Sequence, residues 1–278
     1  MGGAGAWLVG SHSAGEWVAV SPGAGYVDVL RYQRLDPEKI PAYEKKLWGL
    51  NDVPDYVRNL FNTHVIAYSG ELDKQRAAAV IMEKAFKAEG QTLTHLIGPG
   101  VEHKYEPSTL ADLLKRLDAV VAQGRERFPK EAHLQTRTLR YYRESWIDAE
   151  RLEEHWADAR IDASRNGNKY DVTTKNIARF MLQLAPETEP EFQFTIDGQR
   201  MPPGPFNGFF APARRRSIVK TPDGKLAKTP DGKIAVGELS AEVQPGMAFF
   251  VKENGSWQWL RQAATPQLEI EEARKLQK

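Results

Sequence analysis

The sequence predicts an α/β protein in two parts, a parallel sheet with flanking helices and then a mainly antiparallel, β-sandwich-like domain. Up to about residue 130, strand-like apolar segments alternate with amphipathic helices, which is the pattern of βα units. Beyond that point, short β-rich segments follow one another between Asn-Gly, Asp-Gly and Pro-Gly turns. We therefore place the first domain at residues 1–130, the β domain at 131–262 and a polar, helix-prone tail at 263–278.

Three strands and three main helices are expected in the first domain. The strands fall at residues 17–22, 64–70 and 93–100, the main helices at 4–13, 73–90 and 107–128, and two short helical pieces near 41–48 and 54–61. The second main helix has one apolar face at helical spacing and ends at Gly90. Three parallel strands make an unusually small sheet, so we expect the first strands of the sheet to precede this chain.

Composition excludes several function classes. The 278 residues are 41% hydrophobic and 27% charged, a balance that supports a buried core. The net charge is +1 and no apolar run approaches the length of a membrane span, so we expect no nucleic-acid and no membrane partner. The absence of cysteine excludes disulfides and thiolate chemistry. The chain shows no signal peptide, and its compartment stays open, with export of the complete protein from a bacterium as one option.

The segment "GSHSAGEW", residues 10–17, resembles the Gly-x-Ser-x-Gly signature of serine hydrolases. A nucleophile serine sits on a turn from a strand into a helix, where the helix amino terminus stabilises the oxyanion. Ser13 has the reverse context, because a helix precedes it, Gly15 ends that helix and a strand follows. We therefore expect a solvated helix end, with Ser13 not a nucleophile and His12 exposed or capping.

Three other segments fit a serine-hydrolase site in chain order. The start "MGGAGAW" matches the residues after the serine in a Gly-x-Ser-Met-Gly-Gly turn. The segment "YSGELDKQ" places Asp73 between a strand and a helix, and "GPGVEHKY" places His103 in a Gly-rich loop before the last helix. Taken singly, Asp73 also fits a helix N-cap and His103 an ordinary loop histidine. Their order, serine then acid then histidine, is that of α/β-hydrolases.

Residues 1–128 thus resemble the C-terminal part of α/β-hydrolases of the prolyl oligopeptidase-like (peptidase S9) and esterase group. The resemblance implies a partial α/β-hydrolase sheet and a nucleophile serine immediately before Met1. It implies Asp73 and His103 as the other catalytic residues, and the Met1 position as part of the oxyanion hole. The β-rich segment resembles the β-sandwich extensions of such proteins only in its position in the chain and in its succession of short β-like segments.

On this resemblance the chain is a truncated serine hydrolase, a peptidase or an esterase, with a peptide or ester substrate in the complete protein and no cofactor. We expect the chain as written to be inactive, because the nucleophile is absent. Peptidase and esterase stay open, since the substrate pocket would lie largely outside the chain. The alternative is a non-catalytic binding protein whose β domain binds carbohydrate or a protein partner.

The β domain carries two further features. One reading of its aromatic residues is a sugar-stacking face, but aromatics in short β segments more often fill a core, which we favour. These residues are Tyr141, Tyr142, Trp146, Trp156, Trp257 and Trp259. The tandem repeat "KTPDGKLA", "KTPDGKIA" at 220–235 predicts a lengthened surface hairpin.

The remaining histidines fit a site less well. His64 and His95 begin strands, at the end of the sheet opposite the ligand-binding edge, and His133 and His155 lie in the β domain. Their spacing suggests no metal site.

The strand at 17–21 should lie at the open side of the sheet. An unpaired, apolar edge is a template for association, so we expect the chain to self-associate there. The same missing partner should leave Trp7 and Leu8 exposed.

Overall fold

The chain is a mixed α/β protein, which confirms the general fold class. The computed structural model describes residues 1–185, 192–202, 216–218, 236–238 and 246–259. Within them, a three-stranded parallel sheet belongs to the first part of the chain, and two five-stranded, mainly antiparallel sheets belong to the second.

The parallel sheet has the order β1-β2-β3, with β2 in the centre. Its strands are β1 (Ala19–Val20), β2 (His64–Gly70) and β3 (Thr94–Gly98). All of β2 except His64 is buried, which fits a central strand covered on both faces. β2 has the predicted bounds, whereas β1 is shorter than predicted and, among the described residues, pairs with β2 alone.

Helices cover both faces of this sheet. The described helices of this part of the chain are α1 (Gly2–His12), α2 (Val29–Gln33), α3 (Ala42–Trp48), α4 (Ala77–Ala88) and α5 (Pro107–Gln123), and the last two cover opposite faces of the sheet. Side chains alternate between the faces of a strand. Accordingly, Val65 and Ala67 of β2 pack in the cluster that contains α4, and Ile66 and Tyr68 pack against Leu113 of α5.

The expectation that Trp7 and Leu8 are exposed is wrong. Trp7 is fully buried in one cluster with Val27, Val53 and Leu60, and Leu8 packs against the same cluster. The connection from β1 to β2 folds back over α1 and supplies these contacts. These contacts come from residues 20 to 53 positions away from Trp7, so local sequence patterns do not show them.

The second part of the chain consists of two sheets with the orders β11-β10-β8-β7-β4 and β15-β14-β9-β6-β5. Their strands are β4 (Glu131–Thr136), β5 (Arg143–Glu144), β6 (Ile147–Leu152), β7 (Ala159–Asn166), β8 (Lys169–Lys175), β9 (Ile177–Leu184), β10 (Gln193–Ile196), β11 (Gln199–Arg200), β14 (Gly246–Glu253) and β15 (Ser256–Trp259). Both sheets contribute to one hydrophobic cluster, so they share a core.

Two asparagines join the two parts of the chain. A 3₁₀ segment, Val53–Asn62, lies beside β4, the edge strand of its sheet. The side chain of Asn59 donates to the carbonyl of Gln135 (3.0 Å) and accepts from its N–H (2.6 Å). Asn62 makes the same pair of bonds with the backbone of His133 (2.6 and 2.9 Å). Three residues of 3₁₀ helix rise about 6 Å and two residues of a strand about 6.6 Å, so the spacings match.

Two expectations concern segments that lie outside the described residues. The repeat at 220–235 and the tail at 263–278 both lie outside them. The described strands on either side of the repeat, β12 (Arg216–Ile218) and β13 (Val236–Glu238), pair antiparallel. No helix in the described part of the chain is long and apolar enough to cross a membrane.

Candidate active site

Asp73 lies in the turn that follows β2. Its Oδ1 accepts a hydrogen bond from the N–H of Gln75 (2.8 Å), which is the N-cap role that its sequence context allows. Its Oδ2 lies 2.8 Å from Nδ1 of His103. One carboxylate therefore caps a helical turn and binds a histidine, and its side chain is almost completely buried.

His103 lies in the loop between β3 and α5. Its side chain is 63% exposed, although Nδ1 is hydrogen-bonded to Asp73. Because a carboxylate oxygen only accepts, we assign the proton of the neutral ring to Nδ1, which leaves Nε2 free to take a proton. This is the arrangement of a general base whose tautomer is fixed by a carboxylate.

The loops that carry the two residues are bonded to each other. The N–H of Glu71 donates to the carbonyl of Gly98 (2.8 Å), and the N–H of Leu72 to that of Val101 (2.9 Å). The N–H of Gly100 donates to the carboxylate of Glu71 (2.8 Å). These bonds continue the pairing of β2 with β3 beyond the ends of both strands, so the distance between the loops is fixed by the sheet.

A close backbone contact also joins the end of β2 to the loop that carries His103. A Cβ atom on Gly70 would lie 2.0 Å from the carbonyl oxygen of Glu102, the residue before His103. No real Cβ contact is that short, so the sequence needs glycine at this strand end.

The amino end of α1 lies against the loop after β1. A Cβ on Gly3 would lie 2.0 Å from the carbonyl oxygen of Gly23, and one on Gly25 would lie 2.4 Å from the backbone nitrogen of Ala4. The N–H of Gly25 donates to the side chain of Gln75 (3.1 Å), two residues beyond the acid. The start of α1 and the turn that holds Asp73 therefore both contact the loop after β1, residues 22–25, which we call the glycine loop.

The glycine loop also contacts the loop between β3 and α5, residues 99–106, which we call the histidine loop. Gly23 lies beside the hydroxyl of Tyr105, two residues after His103, since a Cβ on Gly23 would be 2.6 Å from that hydroxyl.

Met1 is the N-cap of α1. Its carbonyl accepts a hydrogen bond from the N–H of Gly5 (3.0 Å), and its side chain is exposed. A helix amino terminus carries partial positive charge, so this edge of the sheet favours an anion.

Ser13 has the context that argues against a nucleophile. It is the C-cap of α1, at the negative end of the helix dipole. The next two N–H groups, of Ala14 and Gly15, donate to the carboxylate of Glu144 (3.1 and 2.8 Å). A Cβ on Gly15 would lie 2.4 Å from the nitrogen of Ser145, so this turn is a docking contact with the β-rich part.

The expectation of a solvated helix end is wrong, because Ala14 and Gly15 are buried against the β-rich part. His12 is likewise neither exposed nor capping. It is buried, it stacks on Tyr141 with ring centroids 3.6 Å apart, and its Nε2 has no hydrogen-bond partner. Burial lowers the pKa of His12 to about 4, with a further contribution from the charge of Arg140. Burial likewise raises the pKa of Glu144 to about 8, against the opposing effect of the two N–H groups that it binds.

A second serine–histidine–carboxylate chain exists that sequence analysis missed. Oγ of Ser69 lies 2.8 Å from Nε2 of His95, and Nδ1 of His95 lies 2.7 Å from Oε1 of Glu83. Ser69 is fully buried in β2, and the side chain of His95 is 3% exposed. The contact depends on the register of β2 with β3 and on how α4 crosses them, which residue spacing does not reveal.

Two other histidines lie away from the loops that follow the three parallel strands. His64 is the first residue of β2, as predicted. His133 binds Asp162 through Nδ1 (2.6 Å) beside Arg58, in the contact between the two parts of the chain. Among the described residues, no three His, Asp or Glu side chains gather in a way that would hold a metal ion.

A scan against protein-family models and a search of curated proteins find nothing that matches this chain.

Proposed function

We propose that this chain is the C-terminal part of a serine hydrolase that resembles the prolyl oligopeptidase-like peptidases and esterases, followed by a β-sandwich. The observation that carries the proposal is the hydrogen bond between Asp73 and His103, at the edge where the loops after all three parallel strands meet. Ligands of open α/β sheets bind outside the carboxyl ends of the strands.

The start of α1 supports the position of the nucleophile. The proposal puts a serine immediately before Met1, on a turn into the amino end of α1. That end shares the glycine loop with the Asp73 turn, and Gly23 of this loop lies beside Tyr105. The N–H at the Met1 position would then donate to the oxyanion, with the helix dipole in the favourable direction.

The chemistry assigned to these residues balances without a cofactor. The serine Oγ attacks the carbonyl carbon of an ester or amide, and its proton passes to Nε2 of His103. Asp73 stabilises the imidazolium that forms and does not take the proton itself. The C–O or C–N bond then breaks, His103 returns the proton to the leaving group, and water releases the acyl group by the same route.

The alternative, a binding protein that acts through the β domain, gains no comparable support. Trp146 and Trp257 are buried in the shared core, which confirms the core reading for both. Tyr141 stacks on His12, and Trp259 packs against the core, so neither belongs to an open platform. Tyr142 is exposed and Trp156 is half-buried, and the described ring contacts do not join these two into one face.

The proposal is tested first at the DNA level and then by kinetics. The DNA upstream of Met1 should continue the reading frame and encode Gly-x-Ser at its end. The longer protein should hydrolyse p-nitrophenyl acetate, and His103→Ala should lower kcat/KM by about 10³-fold or more. The 278-residue chain alone should be no faster than its own His103→Ala variant. A frame that lacks this serine, or a longer protein whose rate ignores His103→Ala, would contradict the proposal.

A further inference from the structure

The hydroxyl group of Tyr68 contacts the backbone directly after His103. Tyr68 is a buried residue of β2. Its Oη donates to the carbonyl of Lys104 (3.0 Å) and accepts from the N–H of Glu106 (2.7 Å). These two groups lie on either side of Tyr105, so a single oxygen atom holds a three-residue stretch of the histidine loop.

Several contacts fix the position of this hydroxyl. The backbone N–H and carbonyl of Tyr68 bond to Pro22 and Ala24 of the glycine loop (2.9 and 2.8 Å). Its ring packs on that of Tyr105 with centroids 4.5 Å apart. A Cβ on Gly98 would lie 2.2 Å from Oη, so glycine leaves the space that the hydroxyl fills.

The histidine loop is therefore held at both ends. Its first residues bond to the turn that precedes Asp73, as described above. At its other end, Glu106 caps α5 by accepting from Ser108 and Thr109. These bonds lower the pKa of Glu106 to about 2. The N–H of the same residue is the donor to Tyr68, so the hydroxyl ties the start of α5 to the central strand.

We propose that Tyr68 is a positioning residue for His103: its hydroxyl holds the backbone after the histidine so that Nδ1 meets Asp73. Tyr68 does not touch the reacting atoms and acts through the loop. The inference rests on the proposed function only for the reaction that His103 serves, because the geometry belongs to the chain as it stands.

The test uses the 278-residue chain and reads the His103 ring directly. The ¹⁵N chemical shifts of the imidazole report which nitrogen carries the proton, with the His103 signals assigned by their loss in His103→Ala. We expect the Nδ1–H form in the native chain. In Tyr68→Phe the ring packing is kept and the hydroxyl is lost, so the Nδ1–H fraction should fall. Exchange of the Glu106 amide hydrogen should become about tenfold faster.

Tyr56→Phe is the matched control. Tyr56 is also fully buried, and its hydroxyl donates to the carbonyl of Gly49 (2.5 Å), away from the histidine loop. That variant should leave the His103 tautomer and the Glu106 exchange rate unchanged. Thermal unfolding checks that each variant is folded. If Tyr68→Phe does not fold, Gly98→Ala displaces the hydroxyl while keeping the tyrosine, and it should give the same two changes.

The outcomes separate this inference from the proposed function. An unchanged tautomer and amide exchange in a folded Tyr68→Phe chain would overturn the positioning role, whatever the longer protein does. A shifted tautomer would support the role even if the longer protein had no hydrolase activity, which would instead contradict the proposed function.

Discussion

Two histidines next to the parallel sheet bind a carboxylate through Nδ1, yet their surroundings differ. His103 meets Asp73 in loops at the carboxyl ends of the strands, and 63% of its side chain is exposed. His95 meets Glu83 on the face of the sheet, its other nitrogen is bonded to Ser69, and its side chain is 3% exposed.

The comparison shows that hydrogen-bond geometry alone does not define a catalytic site. The chain Ser69–His95–Glu83 has all three groups of a triad at hydrogen-bond distance. Its serine is fully buried inside a strand, so no substrate reaches the oxygen. Among the described residues no serine is bonded to the pair Asp73–His103, but His103 is exposed and the amino end of α1 lies on the adjoining loop, as the proposed acyl transfer requires.

The largest difference should appear when each carboxylate is neutralised in the longer protein that the proposed function implies. Asp73→Asn should lower kcat for ester hydrolysis by about 10³- to 10⁴-fold, because the imidazolium loses its partner and the tautomer is no longer fixed. Glu83→Gln should leave kcat within about threefold, because Glu83 orients a histidine that meets no substrate. Steady-state kinetics on p-nitrophenyl acetate measure both, and equal losses would remove the distinction between the two pairs.

A third histidine, His12, extends the comparison. It is buried, and its Nε2 has no hydrogen-bond partner. Its pKa of about 4 lies below its ordinary value of 6.5, so the unfolded chain binds more protons between these pH values. The free energy of unfolding that this group contributes is therefore complete above pH 6.5 and is lost as the pH falls towards 4. The loss is on the order of 3 kcal/mol at most.

Urea unfolding at several pH values measures this contribution. His12→Phe keeps a ring on Tyr141 and cannot be protonated, so its stability should fall less between pH 6.5 and pH 4 than that of the native chain. Identical pH profiles for the two proteins would show that His12 is not a buried neutral base.

Ser69→Ala tests the buried chain as a structural element. Removing Oγ leaves Nε2 of His95 buried without a partner, which should cost about 1–3 kcal/mol in the free energy of unfolding. Ser13→Ala is the matched control, since Ser13 is half-exposed at the end of α1, and its effect should stay within about 0.5 kcal/mol. If both substitutions changed the free energy of unfolding by similarly small amounts, the structural role of the Ser69–His95–Glu83 chain would be contradicted.

Prediction from the sequence succeeded where the information is local. The alternation of apolar strands and amphipathic helices predicted β2, α4 and α5, and the strand-to-helix junctions predicted where Asp73 and His103 lie. The same reasoning placed Ser13 at the end of the first helix and His64 at the start of β2.

The features that were missed depend on contacts between distant segments. The burial of Trp7 comes from the β1–β2 connection, and the burial of His12 comes from Tyr56 and Tyr141. The bonding of Asn59 to β4 requires a 3₁₀ segment to lie along a strand 76 residues away. Short-range periodicity carries no information on such pairings, and the same holds for the register that joins Ser69 to His95.

The central claim is that Asp73 and His103 serve a nucleophile on the turn into α1. Labelling the longer protein with a fluorophosphonate, followed by peptide mass spectrometry, tests this directly. We predict one adduct, on the serine immediately before Met1, lost in His103→Ala and retained in His95→Ala. An adduct on Ser69 or Ser13, or labelling that survives His103→Ala, would contradict the account.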